Sequence, residues 1–146
     1  MSIAAIASPV RARWRAPLSW GVAVGLAQSA TPLVFWWLDG ATVYAFGLVA
    51  IAFVYIGFAV ADGRRVVLAA EITVAAMFVI VAIAAVTGSP WLLVVGLVGH
   101  GLKDLWQHRR QFVANTRWWP PFCLVVDWTA ATIIAAGIVA GVRFHH

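Results

Sequence analysis

Long apolar runs separated by short polar breaks divide almost the whole chain. Marked off at the roughly 20 residues a membrane-crossing helix needs, they give five predicted spans: Leu18–Leu38, Thr42–Ala61, Val66–Val86, Trp91–Trp106 and Pro121–Val142. The breaks carry turn formers, Asp39-Gly40, Asp62-Gly63 and Gly88-Ser89-Pro90. The only polar link of any size runs from His108 to Trp119 and ends at Pro120-Pro121, where a missing N–H costs little because a helix start has no acceptor for it. The pattern predicts an all-α, polytopic transmembrane bundle occupying residues 18–142, with a basic segment at 1–17 and a short tail at 143–146. Pro32 is expected to kink the first span or remove one of its hydrogen bonds. A cleaved signal sequence ending near Ala27-Gln28-Ser29 is disfavoured, because the apolar run continues through Trp37, beyond the roughly 7–15 residues of such a region.

Composition supports the same class. The 146 residues are 64% hydrophobic and 10% charged, with a mean hydropathy of +0.94, far from the usual balance of a soluble domain. The net charge of +5 does not imply a nucleic-acid face, because the basic residues sit in clusters between spans. With the amino terminus in the cytoplasm, Arg11, Arg13, Arg15, Arg64, Arg65, Lys103, Arg109, Arg110 and Arg117 fall inside and only Arg143 outside. That bias predicts a multipass protein of the cell membrane with its carboxyl terminus on the far side. Trp14, Trp20, Trp36, Trp37, Trp91, Trp106, Trp118 and Trp119 fall at predicted helix ends, as an interfacial belt requires. Gly21-x-x-x-Gly25 and Gly137-x-x-x-Gly141 are expected to pack the chain on itself, with an oligomer through the same faces as the alternative.

Ionisable residues inside spans cost a few kcal/mol each on insertion scales and so call for a partner or a function. Glu71 and Asp127 are expected at nearly the same depth, roughly 8 Å from the cytoplasmic edge at 1.5 Å per residue. His100, Asp104 and His108, four residues apart in turn, share one helical stripe with Gln107 beside it. Glu71, His100, Asp104 and Asp127 are therefore candidate acid–base or catalytic groups. His100, Asp104, His108 and Glu71 are candidate ligands for a divalent metal, and the imidazole and carboxylate set suits Zn, Fe or Mn. Arg64, Arg65, Arg109, Arg110 and Arg117 are candidate contacts to lipid headgroups, although fixing topology explains them too.

These residues suggest an enzyme acting within the membrane on a lipid or isoprenoid-like substrate. Two other classes stay open: a small proton-coupled transporter, and an accessory subunit whose polar residues lock helices together. In the structural alternative Asp104 pairs with Arg109 or Lys103, and Glu71 bonds to Gln28, Tyr55 or a threonine. Cys123 is the only cysteine and reads first as a small packing residue. No phosphate-binding loop, dinucleotide fingerprint, serine elbow or haem-attachment motif occurs. The stretch His100-Gly101-x-x-Asp104-x-x-x-His108-Arg109, followed by Trp118-Trp119-Pro120-Pro121-Phe122-Cys123 and Asp127, resembles small uncharacterised bacterial multipass proteins of the domain-of-unknown-function type. The resemblance covers the last third of the chain; it implies a bacterial inner membrane and brings no activity with it.

Overall fold

The computed structural model describes residues 9–114 and 116–145. Residues 1–8 of the expected basic segment, the side chains of residues 9–14 and His146 of the tail lie outside the described residues. Among the described residues every regular element is a helix: α1 Pro9–Ser29, α2 Thr31–Val34, α3 Gly40–Asp62, α4 Arg65–Thr87, α5 Trp91–Arg110 and α6 Trp119–Val139. By length and composition α3, α4 and α6 can each cross a membrane.

The five long helices match the five predicted spans in order, with shifted ends. α1 begins at Pro9, inside the expected basic segment, and stops at Ser29. Pro32 does more than kink the first span: it lies in the first turn of the separate four-residue α2, and the chain turns after Val34. Proline lacks the N–H that would continue α1, and starting a new helix leaves that loss harmless. At the other end α6 stops at Val139, not Val142. Gly141, in the left-handed region at φ 80°, reverses the chain so that Phe144 lies against Tyr44 and its carbonyl accepts the Ala41 N–H at 3.0 Å.

Packing follows small residues. A Cβ built on Gly21 would stand 2.7 Å from Val125 Cβ, and one on Gly25 would stand 2.7 Å from Thr129 Cβ. The first glycine pair thus seats α1 directly on α6 of the same chain, and because both contacts advance together the two helices run parallel. Gly137 instead faces the ring of Phe144. α3 with α4, and α5 with α6, form hairpins that meet around Leu48, Ala82, Leu93, Leu97, Ala130 and Ile134.

Alternation of the five helices brings the α3–α4 turn, the α5–α6 loop and the start of α1 to one end, so the basic clusters share that end. A clasp ties two of the connections. Asp62 accepts the Arg64 guanidinium at 2.6 and 2.8 Å and the Ala114 N–H at 2.7 Å, and Arg64 also donates to the Phe112 carbonyl at 2.7 Å. The Asp62 side chain is only 1% exposed although its partner is open to the surface. Replacing Asp62 by Ala is expected to leave the helices intact but free the α5–α6 loop. Trypsin should then cut faster at Arg109, Arg110 or Arg117 than in the wild-type protein, and equal rates would contradict the clasp.

The distribution of polarity is inverted relative to a soluble bundle. Val66, Met77, Ile80, Ile83, Val95, Leu102 and Val139 are exposed, whereas Glu71, His100, Asp104, Gln107 and Asp127 are buried. An apolar exterior of this extent is unfavourable in water and natural in lipid.

Candidate functional site

α5 shows the inversion most clearly. Leu93, Leu97, His100, Asp104 and Gln107 follow each other at three- and four-residue steps along its inner face, the spacing that keeps side chains on one side of a helix. α6 answers with Cys123, Asp127, Ala130 and Ile134. Two polar groups result.

The upper group joins α5 to α6. His100 Nδ1 lies 2.8 Å from Asp127 Oδ2 and 3.5 Å from Asp104 Oδ2, and all three side chains are fully buried. Ligand atoms from the three residues lie within 4.8 Å of one another. Tyr55 of α3 and Phe78 of α4 close over the imidazole, with ring centroids at 5.7 and 5.0 Å. Hydrogen bonding is incomplete: His100 Nε2, both oxygens of Asp104 and Asp127 Oδ1 have no hydrogen-bond partner among the described residues. The Tyr55 hydroxyl interacts with Asp104 without reaching ordinary hydrogen-bond geometry.

The lower group joins α4 to α5. Lys103 Nζ lies 2.9 Å from Glu71 Oε2, Gln107 donates its amide to Glu71 Oε1, and the ammonium also sits 3.5 Å from the centre of the Tyr55 ring. Tyr55 therefore touches both groups.

The expected members divide accordingly. His100, Asp104 and Asp127 come together. Glu71 does not join them, because Lys103 and Gln107 hold it. These two lie three and seven residues beyond His100, about 4.5 and 10.5 Å along the helix axis, so Glu71 and Asp127 are offset in depth rather than level. Part of the reason is that α6 starts at Trp119, two residues before the expected boundary, which carries Asp127 deeper. His108, half-buried near the end of α5, stands apart from the compact group and reaches the backbone of Arg117. Arg65, Arg109, Arg110 and Arg117 are exposed at the basic end, while Arg64 is committed to the clasp. Lys103 was legible only as a basic residue near a helix end; its adjacency to Asp104 in sequence hid its true partner, since neighbours in a helix point in different directions.

Apolar exterior, buried ionic interior and three long apolar helices define a helical membrane protein with a His/Asp cluster inside its bundle. Comparison with protein-family models, curated proteins and solved structures returns no significant match. The functional reading therefore rests on the site itself.

Proposed function

We propose that the His100–Asp104–Asp127 group binds a divalent metal ion and is the centre of an enzyme acting on a lipid or isoprenoid-like substrate. The observation that carries this reading is a pair of buried carboxylates gathered around one imidazole, with Asp104 Oδ1, Asp104 Oδ2 and Asp127 Oδ1 lacking a hydrogen-bond partner among the described residues. Buried charge persists only when paired or coordinated. Lys103 is engaged by Glu71, which leaves His100 as the basic side chain set against the two carboxylates of Asp104 and Asp127, and a divalent cation held among them would add the positive charge while taking the imidazole as a donor. One imidazole and two carboxylates form a hard-to-borderline donor set suited to Zn, Fe or Mn. Three protein ligands leave coordination open, as in catalytic rather than structural sites. When bound, such an ion supplies Lewis-acid polarisation of a carbonyl or phosphoryl oxygen. In this reading the basic end faces the cytoplasm of a bacterial inner membrane, and Arg65, Arg109, Arg110 and Arg117 attract anionic headgroups to it.

Elemental analysis of untagged protein purified without chelators tests the proposal. About one equivalent of Zn, Fe or Mn is expected in the wild type, and almost none in folded His100→Ala and Asp104→Ala variants. A metal-free wild type would favour a second reading, a proton carrier, which draws on the ladder of buried ionisable groups from Glu71 and Lys103 to His100 and Asp127. That reading requires Glu71→Gln or Asp127→Asn to abolish pH-dependent transport.

A further inference from the structure

We propose that this centre is entered sideways from the bilayer, through a window between α4 and α5 that the Phe78 ring closes, and that the window admits an apolar molecule whose reacting group is uncharged. The inference rests on the function proposed above and narrows its substrate class.

Contacts along the seam between α4 and α5 outline the window. Gly96 of α5 faces Val81 of α4: a Cβ on the glycine would stand 3.1 Å from Val81 Cγ1. Farther toward the basic end, Lys103 Nζ lies 2.9 Å from Glu71 Oε2. Gly99 falls between these two points, three residues after Gly96 and four before Lys103, so all three share one side of α5. A Cβ built on Gly99 would nevertheless meet nothing within 4 Å beyond its own stretch of helix among the described residues. The seam is closed at both ends and open in the middle. Glycine weakens a helix interior, and at Gly99 neither a left-handed backbone nor a close neighbour accounts for it.

Behind the opening lies the imidazole. His100 follows Gly99 directly, is fully buried and keeps Nε2 without a hydrogen-bond partner among the described residues. Phe78, between Glu71 and Val81 along α4, meets it edge to face with centroids 5.0 Å apart. Tyr55, the other ring over the imidazole, is sealed inside and covered by the Lys103 ammonium, whereas Phe78 is half-buried and reaches the surface. Its companions on the inner stripe of α4, Ala75 and Ala82, are too small to cover His100 in its place, so displacing one ring uncovers the centre. Outside, Val95 and Leu102, a turn to either side of Gly99, and Met77 beside Phe78 are exposed and apolar. Gly99 sits about 12 and 16 Å from the two ends of α5 at 1.5 Å per residue. A charge carried to that depth in lipid is costly, which favours the carbonyl of an ester over a phosphate as the group that passes.

Carbodiimides, which trap buried carboxyl groups, are the probes. The full-length protein in vesicles of phosphatidylethanolamine and phosphatidylglycerol, treated with chelator, is exposed either to dicyclohexylcarbodiimide, which dissolves in the bilayer, or to a charged, water-soluble carbodiimide. Adducts on Asp104 and Asp127 are followed by peptide mass spectrometry. The bilayer reagent is expected to label them in preference. Phe78→Ala should be labelled about 2–10-fold faster, the factor expected when one edge-to-face ring contact no longer holds the window shut. Gly99→Leu, which fills open space without a clash, should be labelled more slowly by a similar factor. A Gly99→Leu rate equal to the wild type would overturn the window, whether or not the Phe78 variant folds. Faster labelling by the water-soluble reagent would overturn it too, by placing entry at the basic end, as would no labelling of any of the three proteins. Zinc restored before labelling should protect both aspartates; without that protection the metal falls, while the rank order of the three proteins still decides the window.

Discussion

Lys103→Met should destabilise the protein by about 3–5 kcal/mol, the usual consequence of leaving a buried charge without its partner. The ammonium is 12% exposed and the Glu71 carboxylate 3%, so little solvent reaches either group to take over. Gln107 still donates to Glu71 in the variant, but a neutral amide does not cancel a charge. The test is a double-mutant cycle measured by unfolding in one detergent. Lys103→Met alone should be severely impaired, whereas Lys103→Met combined with Glu71→Leu should recover most of the loss, because an apolar pair can replace a buried ion pair at little cost. Equal damage from the single and double variants would mean that the pair contributes through packing instead of charge. The Lys103 ammonium also faces the Tyr55 ring, so incomplete recovery, smaller than the initial loss, is expected.

Gly21→Leu should separate α1 from α6. The first added carbon already falls 2.7 Å from Val125 Cβ and 2.9 Å from the Phe122 carbonyl oxygen, closer than real carbon contacts come, and the oxygen belongs to a helical backbone that cannot move aside alone. Overpacking of this kind costs about 1–3 kcal/mol and occasionally more. Gly57, which has open space around it, supplies the control: Gly57→Leu should have little effect on unfolding. If both variants unfold alike, close approach of α1 and α6 is not what holds the first helix in place.

Much of this fold was legible along the chain because a bilayer imposes a simple rule of length and polarity on each span. The turn at Asp62-Gly63 appears where the pattern put it, with Gly63 at φ 79°, and Gly21 and Gly25 do pack the chain on itself. The helix ends were less legible. Nothing in hydropathy distinguishes Arg11–Arg15 as helix from the same residues as a tail, or says that Pro32 ends one helix and begins another. His100, Asp104 and Asp127 were identifiable as polar residues in apolar surroundings, and the stripe on α5 follows from spacing alone. Their sorting was not. Whether Asp127 or Glu71 meets His100 depends on the axial offset between helices from different parts of the chain, which spacing along a single helix does not contain. Asp62 shows the same limit: as a turn residue it was expected to mark a boundary, and only the arrival of the α5–α6 loop beside it turns a boundary residue into a clasp.

The inward polarity of α5 also bears on how the protein is made. Lys103 and Asp104 each cost roughly 2.5–3.5 kcal/mol at the centre of an isolated helix in lipid, and His100 and Gln107 add to the burden. Of their partners, Glu71 precedes α5 along the chain but Asp127 follows it. A ribosome therefore delivers α5 before half of its polar face can be satisfied. Insertion of α5 is therefore expected to depend on α6, and a chain truncated within the α5–α6 loop is expected to leave α5 at the membrane surface.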